Sequence, residues 1–433
     1  MSTLPTLCSK FLQRGTQSGI KLKSRIMSTA SRPLSTFQPI DFVPPDIQFD
    51  VTRRFLADPK ENKINLGQGT YRDETGSPWV LPSVQMAKDS LGGINHEYLP
   101  IAGFQPFVDE ATKLLFDGTA ALAEQKVASC QSLSGTGALM LLGLTLKKLS
   151  AAPDTIYITD PSWVNHQLMF STIGFKVQQI PYYKDGGFDF DSYISTLKKA
   201  IPGSPILLHT CAHNPTGCDP TREQWKTIGS VIKEIELFPI FDSAYLGFNS
   251  GSFNDDAWPI RYFLEHLNVE LAVCLSMAKS MGLYGERIGL VACALSSSSA
   301  ARVAQSVLQN VQRATITAPP AYGARVAAAV LLTPSIRKQW SKDLVVMSSR
   351  IQRMRQRVYE ELQRLHTPGD WSHIIRQTGM FAYLGINKAQ VKHLEDQFHI
   401  YMVETSRVSI PGLNDHNVKQ FAWALDQTVR TIQ

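Results

Sequence analysis

Short apolar runs bounded by turn residues recur through the middle of the chain, and helical stretches lie between several of them. The runs occupy residues 155–159, 176–181, 205–208, 238–241, 271–275 and 289–294, and one intervening helical stretch occupies residues 222–236. Alternating strands and helices predict an α/β core, with a mostly parallel sheet sandwiched by helices. In such a fold the ligand site lies at the carboxyl ends of the strands. We therefore expect the functional side chains of this chain at those strand ends.

Beyond Pro334 the pattern changes to one long amphipathic helix, because apolar residues recur at helical spacing. These residues are Met347, Ile351, Met354, Val358, Leu362 and Leu365. Two further helical stretches, near residues 388–398 and 415–432, flank a strand expected near Tyr401. This region predicts a smaller α+β domain. We expect a large domain over residues 76–340 and a small domain over residues 341–433, with the segment 37–75 joining the small one.

The first 36 residues differ in composition from everything that follows. Serines and threonines are frequent there, and the first acidic residue of the chain is Asp41. The basic residues of this segment are Lys10, Arg14, Lys21, Lys23, Arg25 and Arg32. This composition is typical of a mitochondrial transit peptide, and it lacks the long apolar centre of a secretory signal. A disordered basic tail is the alternative, and a second start at Met27 would give a shorter cytosolic product.

Length and composition fit a globular protein with a large core. The chain has 433 residues, of which 43% are hydrophobic, and no apolar run is long enough to cross a bilayer. The formal net charge of +6 says little about a partner, because much of the excess lies near the N-terminus. Six scattered cysteines, none of them in a CxxC pair, indicate free thiols and not a disulfide framework or a zinc site.

The stretch from Ser276 to Arg287 carries the most specific chemistry. It follows the apolar run at 271–275, so Lys279 is expected in a loop just past the end of a buried strand. Poor solvation there favours the neutral amine, which is the form that condenses with an aldehyde. Arg287 is a fixed cation that can hold a phosphate. A phosphorylated aldehyde such as pyridoxal phosphate fits both groups, whereas an ordinary surface loop is the alternative for this stretch alone.

A glycine loop within residues 131–143 leads directly into an apolar helical stretch. Free amides at a helix start, with the hydroxyls of Ser134 and Thr136 beside them, make a site for an anion. The same loop is compatible with a dinucleotide-binding fold, and hence with an NAD-dependent dehydrogenase. That alternative lacks the acidic residue that would end a strand about twenty positions later.

Other strand ends carry groups that fit the same phosphorylated cofactor. Asp242 follows a buried strand and needs a cationic partner to stay charged, and a pyridinium nitrogen is such a partner. Tyr245 and Asn214 can hydrogen-bond the phenolic oxygen of the ring. Trp163 offers a flat face on which the ring can stack.

Taken in chain order, these groups resemble fold-type I pyridoxal-phosphate enzymes. The motifs are closer still to those of the aspartate aminotransferases, a family of class-I aminotransferases. They are NLGQGTYRDE, NHEYLPIAGF, QSLSGTGAL, DPSWVNH, HTCAHNPTG, FDSAYLGF, SMAKSMGLYGERIG, APPAYGAR and SRVSIPGLN. The resemblance covers roughly residues 40–433 without a large gap. It implies a pyridoxal-phosphate enzyme of fold type I that works as a homodimer.

The resemblance also implies a role for each cofactor residue. Lys279 is similar to the lysine that forms the Schiff base and moves the proton, and Asp242 is similar to the partner of the ring nitrogen. Asn214 and Tyr245 match the partners of the ring oxygen. The phosphate would be held by Ser134, Gly135, Thr136, Ser276 and Arg287, together with Tyr98 from the neighbouring subunit. His166 and His209 match positions near Asp242, and a satisfied core histidine is the alternative for each.

For the substrate, the resemblance implies two carboxylates. Arg407 resembles the arginine that binds the α-carboxylate in a bidentate pair, and Arg313 resembles the arginine donated across the dimer to the distal carboxylate. Gly69, Trp163 and Asn214 are expected to line the substrate site. The chain departs from the family at Gln48, Phe49, Gln68, Ala278, Thr317 and Ala318. All of these except Ala278 can reshape the pocket for the substrate side chain.

We therefore expect an aminotransferase that moves an amino group from L-aspartate, or a similar amino acid, to 2-oxoglutarate by a ping-pong mechanism. An aromatic amino acid aminotransferase with relaxed side-chain specificity is the main alternative. Another pyridoxal-phosphate reaction, such as decarboxylation or β-elimination, would share Lys279 and Asp242 but would not need Arg313. A catalytically silent binding protein is disfavoured, because every polar role is filled. We expect location in the mitochondrial matrix, without a metal and without a nucleic-acid or membrane partner.

Overall fold

The computed structural model describes residue 37 and residues 41–149 and 153–432. A compact unit begins at Asp46, and the fold given below is the fold of that unit. The leader predicted at residues 1–36 lies outside the described residues. None of the helices in the described part is both long enough and apolar enough to span a membrane.

A seven-stranded sheet forms the centre of the described fold, and short strands pair in smaller sheets around it. In chain order the strands are β1 (Ile64–Asn65), β2 (Val127–Leu133), β3 (Thr155–Asp160), β4 (Lys176–Pro181), β5 (Tyr183–Lys184), β6 (Gly187–Phe188), β7 (Pro205–His209), β8 (Phe238–Ser243), β9 (Leu271–Ser276), β10 (Ile288–Ala294), β11 (Phe381–Tyr383), β12 (Ile400–Tyr401) and β13 (Arg407–Ser409). The large sheet has the order β2-β10-β9-β8-β7-β3-β4. Within this seven-stranded sheet of the described residues, β10 alone runs opposite to the other six strands, so the expected mostly parallel sheet is confirmed.

Helices surround this sheet and supply most of the remaining regular structure. In chain order they are α1 (Ile47–Ala57), α2 (Pro82–Ser90), α3 (Gln105–Phe116), α4 (Ala120–Ala123), α5 (Ser134–Leu146), α6 (Val164–Ile173), α7 (Phe190–Leu197), α8 (Arg222–Glu234), α9 (Phe253–Asp256), α10 (Trp258–Tyr262), α11 (Ser298–Thr315), α12 (Tyr322–Leu332), α13 (Pro334–Arg364), α14 (His373–Arg376), α15 (Lys388–Phe398) and α16 (Val418–Thr431). The long amphipathic helix, α13, begins at Pro334, well before Met347, the first of the apolar positions that predicted it. Its extra turns start at a proline, which the first turn of a helix accepts, and they bury Ile336 and Trp340.

The strands at the middle of the sheet are covered on both faces. In β9, Leu271, Val273 and Leu275 join one hydrophobic cluster, and Ala272 and Cys274 join another. Successive side chains of a strand point to opposite faces, so these two clusters lie on the two sides of the sheet. A strand buried on both faces reads as a continuous apolar run, which is why the sequence pattern located β9 correctly.

The glycine loop predicted within residues 131–143 is absent, although the helix that was expected to follow it is present, so the loop was a wrong expectation. β2 continues to Leu133, and α5 begins at the next residue, Ser134. The chain turns there because Ser134 has a left-handed backbone with φ of 59°. The neighbouring strand makes room for the turn, since a Cβ on Gly289 would lie 2.7 Å from the Cα of Ser134. The backbone amides in the first turn of α5 therefore lie directly after the end of β2.

The C-terminal part of the chain adds two small sheets near the carboxyl ends of the central strands. β11 pairs with β13, which places Tyr383 opposite Arg407. β1 pairs with β12, so residues 64–65 from the N-terminal part contribute a strand to the C-terminal part. The division into a large and a small domain stays a prediction, because the chain from Asp46 onward forms one compact unit.

Candidate active site

A cavity of about 230 Å³ lies at the carboxyl ends of the parallel strands, where the sequence placed the chemistry. The following predicted site residues line it: Gly69, Ser134, Gly135, Thr136, Trp163, Asn214, Asp242, Tyr245, Ser276, Lys279, Arg287 and Arg407. Residues separated by more than 300 positions in the chain therefore meet in one space. Gln48, His209, Ala244 and Phe381 complete the lining.

Lys279 lies in the tight turn that follows β9. The turn is closed by hydrogen bonds from Met281 N to Met277 O (3.1 Å) and from Gly282 N to Lys279 O (3.2 Å). Although the residue as a whole remains partly accessible, protein surrounds its amine. This desolvation lowers the pKa of Lys279 to about 8, and the positive charges of Arg287 and Arg407 act in the same direction. Far more of this amine is therefore neutral near physiological pH than in an ordinary lysine, and the neutral form is the one that attacks an aldehyde.

Asp242 lies near the end of β8 and is buried, with one carboxylate oxygen held by His166. The distance from His166 Nε2 to Asp242 Oδ2 is 2.9 Å, and His166 Nδ1 lies 2.8 Å from Ser162 Oγ. Burial alone would raise the pKa of Asp242, but the His166 hydrogen bond and the charges of nearby groups outweigh it and lower that pKa. The carboxylate is therefore charged, and it can pair with a protonated ring nitrogen.

Neutral groups complete this side of the cavity. Burial lowers the pKa of His209 to about 3, so its imidazole carries no charge at neutral pH. Burial and the charge of Asp242 raise the pKa of Tyr245, so its phenol keeps its proton and can donate it in a hydrogen bond. The Lys279 amine lies 5.1 Å from the centre of the Tyr245 ring.

Another part of the cavity lining suits an anion. Ser134, Gly135 and Thr136 form the first turn of α5, whose amides have no partner within the helix. The Ser134 and Ser276 hydroxyl oxygens lie 2.7 Å apart, and Arg287 is exposed nearby with a left-handed backbone. Hydroxyls, free amides and a guanidinium together match the oxygens of a phosphate. The residues present therefore fit pyridoxal phosphate at both its ring and its phosphate end.

Arg407 is a buried cation held by neutral groups. It is 3% exposed, and it donates from Nη2 to the Gly67 carbonyl (2.8 Å) and from Nη1 to Asn214 Oδ1 (3.3 Å). Its guanidinium lies 4.1 Å from the centre of the Phe381 ring. Burial lowers the pKa of Arg407 to about 10, so the side chain stays charged at neutral pH. The guanidinium lines the cavity, and these two contacts leave a second N–H on each Nη for a ligand carboxylate.

Tyr98 and Arg313 are the two predicted site residues that the single chain does not bring to the cavity. Tyr98 is 83% exposed, and it lines a separate open groove with Pro319, Pro320 and Ala318. Arg313 lies exposed in the last turn of α11. Their expected entry into the site from a neighbouring subunit stays a prediction.

Phe381 is a lining residue that sequence reasoning missed. It lies on a strand of three residues, and such a short strand has no pattern that distinguishes it from a loop. The glycine at position 69 is the sequence signal that some group approaches the backbone closely there, since a Cβ on Gly69 would lie 2.9 Å from the Phe381 ring.

Two of the positions at which the chain departs from the family differ in their surroundings. Gln48 lines the cavity, whereas Phe49 is 73% exposed.

Comparison with known proteins agrees with this geometry. The sequence model of the family "Aminotransferase class I and II" matches residues 61–425. The chain is 41% identical over 404 residues to the cytoplasmic aspartate aminotransferase of Schizosaccharomyces pombe, covering 92% of this chain and 98% of that protein. The solved aspartate aminotransferase from Saccharomyces cerevisiae cytoplasm is 40% identical with a TM-score of 0.89, covering 92% of this chain and 99% of that one. An aromatic-amino-acid aminotransferase from Burkholderia pseudomallei, solved covalently bound to pyridoxal phosphate, is 36% identical with a TM-score of 0.88, covering 92% and 100%.

The chain belongs to the class I and II aminotransferases. The α/β fold of type I and the family expected from the sequence motifs are thereby confirmed. The protein is an aminotransferase that depends on pyridoxal phosphate, as the lysine, carboxylate and anion site of the cavity indicated.

Proposed function

We propose that this aminotransferase moves an amino group from L-aspartate, or an amino acid of similar shape, to 2-oxoglutarate. The observation that carries the proposal is the position of Arg407. It is a buried guanidinium whose two contacts leave N–H groups on both Nη atoms free, and it lines the same cavity as the Lys279 amine. A substrate whose α-carboxylate pairs with Arg407 would bring its α-carbon into the space that the amine also reaches.

The residues that would hold the cofactor divide by its parts. Asp242 would pair with the ring nitrogen, and Lys279 would hold the aldehyde carbon. The ring oxygen would accept from Asn214 and Tyr245, the ring face would lie on Trp163, and the phosphate would be held by Ser134, Gly135, Thr136, Ser276 and Arg287. When bound, pyridoxal phosphate supplies an electron-poor ring that accepts the electron pair left when the substrate loses its α-proton.

Lys279 is the group that moves the proton. When it is free, its amine with a pKa of about 8 is a base matched to neutral pH. It would take the α-proton from the substrate and carry it to the cofactor side of the site. Asp242, kept anionic by the His166 hydrogen bond, would hold a proton on the ring nitrogen. Arg407 keeps the substrate in place, and the same residues act in reverse when the second oxo acid enters.

The preference for a second carboxylate rests on Arg313 and on a homodimer. Arg313 and Tyr98 are exposed and lie outside the cavity, as expected for residues that complete the site of a neighbouring subunit. The aspartate aminotransferases that are about 40% identical over nearly the whole chain favour the same substrate. The similar aromatic-amino-acid aminotransferase keeps the aromatic alternative in place.

The test is a panel of amino donors with 2-oxoglutarate as acceptor, followed by Arg313→Ala. We expect aspartate to be the best donor, and we expect Arg313→Ala to lower kcat/KM for aspartate about a hundredfold while changing that for phenylalanine little. Lys279→Ala, which lacks the reacting amine, serves as the inactive control. Equal losses for aspartate and phenylalanine would show that Arg313 does not read the distal carboxylate.

Location and domain organisation are proposed on separate grounds. The composition of residues 1–36 supports import into mitochondria, whereas a product that starts at Met27 would stay in the cytoplasm. The relatives named as cytoplasmic enzymes support the second possibility for the shorter product. The pairing of β1 with β12 supports a small domain that includes the N-terminal segment.

A further inference from the structure

The Gln48 side chain lines the active-site cavity and has no hydrogen-bond partner among the described residues. Gln48 lies half-buried in the first turn of α1. Its backbone N–H donates to Asp46 Oδ1 (2.9 Å), and its carbonyl accepts from Thr52 Oγ1 (3.4 Å), so only its amide is left without a partner. It also lines an adjoining cavity of about 480 Å³, which shares Trp163 and Arg407 with the first.

Contacts at its C-terminal end and in its middle fix helix α1 in place. At its C-terminal end, Asp58 Oδ2 accepts from Tyr401 Oη and from His399 Nδ1, both at 2.7 Å. In its middle, Val51 is fully buried against Gly67, where a Cβ would come within 2.6 Å of Val51 Cγ1. The Gly67 carbonyl is itself the acceptor for Arg407 Nη2. The position of Gln48 is therefore tied to the position of the Arg407 guanidinium.

The direction of the substrate side chain follows from the groups that hold the rest of the substrate. The α-carboxylate pairs with Arg407, and the α-carbon must lie within reach of Lys279. The side chain then has to lie against other residues of the cavity lining, and Gln48 on α1 is one of them. An amide there can hydrogen-bond a carboxylate on the substrate side chain. An apolar side chain would instead cover the amide and exclude water from it, at a cost in binding.

We propose that Gln48 determines substrate specificity, because its amide hydrogen-bonds the side-chain carboxylate of the substrate and disfavours apolar side chains. This inference rests on the proposed function. It names a residue of the same subunit that favours substrates with a side-chain carboxylate. It differs from the role of Arg313, which requires a second subunit.

The test compares Gln48→Met and Gln48→Glu in the holoenzyme. Methionine keeps the length of the side chain without its polar atoms, so the ratio of kcat/KM for aspartate to that for phenylalanine should fall about tenfold. Glutamate places a like charge near the side-chain carboxylate, so aspartate should lose more than it does in Gln48→Met. The matched control is Gln363→Met on the exposed surface of α13, where the ratio should not change.

Equilibrium binding gives a second measurement that does not depend on turnover. Calorimetry with the holoenzyme should show that Gln48→Met weakens succinate and strengthens 3-phenylpropanoate. An unchanged ratio of the two dissociation constants overturns the inference. If both ligands bind more weakly by the same factor, Gln48 contacts the α-carboxylate end and not the side chain. If the unmodified enzyme uses neither aspartate nor phenylalanine with 2-oxoglutarate, the proposed function fails instead.

Discussion

Replacing Lys279 by methionine should stabilise the cofactor-free protein near neutral pH, even though it removes the reacting amine. The folded protein lowers the pKa of Lys279 from 10.5 to about 8, chiefly by desolvation. The ammonium form is therefore disfavoured in the folded state relative to the unfolded one. Below the folded pKa this penalty is fully present, and it is lost as the pH rises from about 8 towards 10.5.

The magnitude follows from the size of the shift. At about 1.4 kcal/mol for each pKa unit, the penalty near pH 7 is about 3 kcal/mol. Methionine also gives up the contact of the ammonium with the Tyr245 ring, which offsets about 1 kcal/mol of the gain. We therefore expect Lys279→Met to raise the free energy of unfolding by about 2 kcal/mol near neutral pH.

The assay is urea unfolding of the cofactor-free protein at fixed protein concentration, near pH 7 and near pH 9.5. The advantage of Lys279→Met should shrink by about 2 kcal/mol between these two pH values. Lys338→Met, an exposed lysine of α13, is the control and should change stability by less than about 0.5 kcal/mol at either pH. A methionine variant that is less stable near neutral pH, or one whose advantage does not depend on pH, would refute the burial of the charged amine.

Two further substitutions test how the cavity is held. Gly289→Ala should destabilise the protein by more than about 2 kcal/mol and weaken pyridoxal-phosphate binding measured by fluorescence titration, because the added Cβ meets the Ser134 backbone. Normal affinity in that variant would contradict this. Thr378→Val removes the 2.8 Å hydrogen bond to the half-buried Asp219 carboxylate, so urea unfolding should show a loss of about 1 kcal/mol. Thr378→Ser should retain the stability, and an equal loss in both variants would rule out the hydrogen bond as the cause.

The sequence located most of the site because its residues follow strands that are buried on both faces. β8 and β9 read as apolar runs, and Asp242 and Lys279 lie at or just past their ends. Parallel strands end at one edge of a sheet, so residues far apart in the chain could be expected to meet there. Local patterns were sufficient for these residues, since the burial of the strand is visible in the strand itself.

The parts that the sequence could not locate depend on distant partners. β2 contains Gln131, which is fully buried and reads as a polar position in a turn. Its amide is satisfied by Phe104 N (2.9 Å) and by the Pro320 carbonyl (2.8 Å), which are 27 and 189 residues away. No local pattern distinguishes such a side chain from one in a loop. The contact of Phe381 with Arg407 was hidden for the same reason, because it depends on the pairing of two three-residue strands.

The charges of the cavity are coupled, and this coupling connects substrate binding to the reactivity of the amine. Asp242 raises the pKa of Lys279, whereas Arg287 and Arg407 lower it. A substrate carboxylate bound to Arg407 neutralises one of the two cations that disfavour the protonated amine. The pKa of Lys279 therefore rises when the substrate is bound, and a higher pKa makes the amine a stronger base for the α-proton. The amine, whose neutral fraction reacts with the cofactor aldehyde, thus becomes a better proton acceptor once the substrate occupies the site.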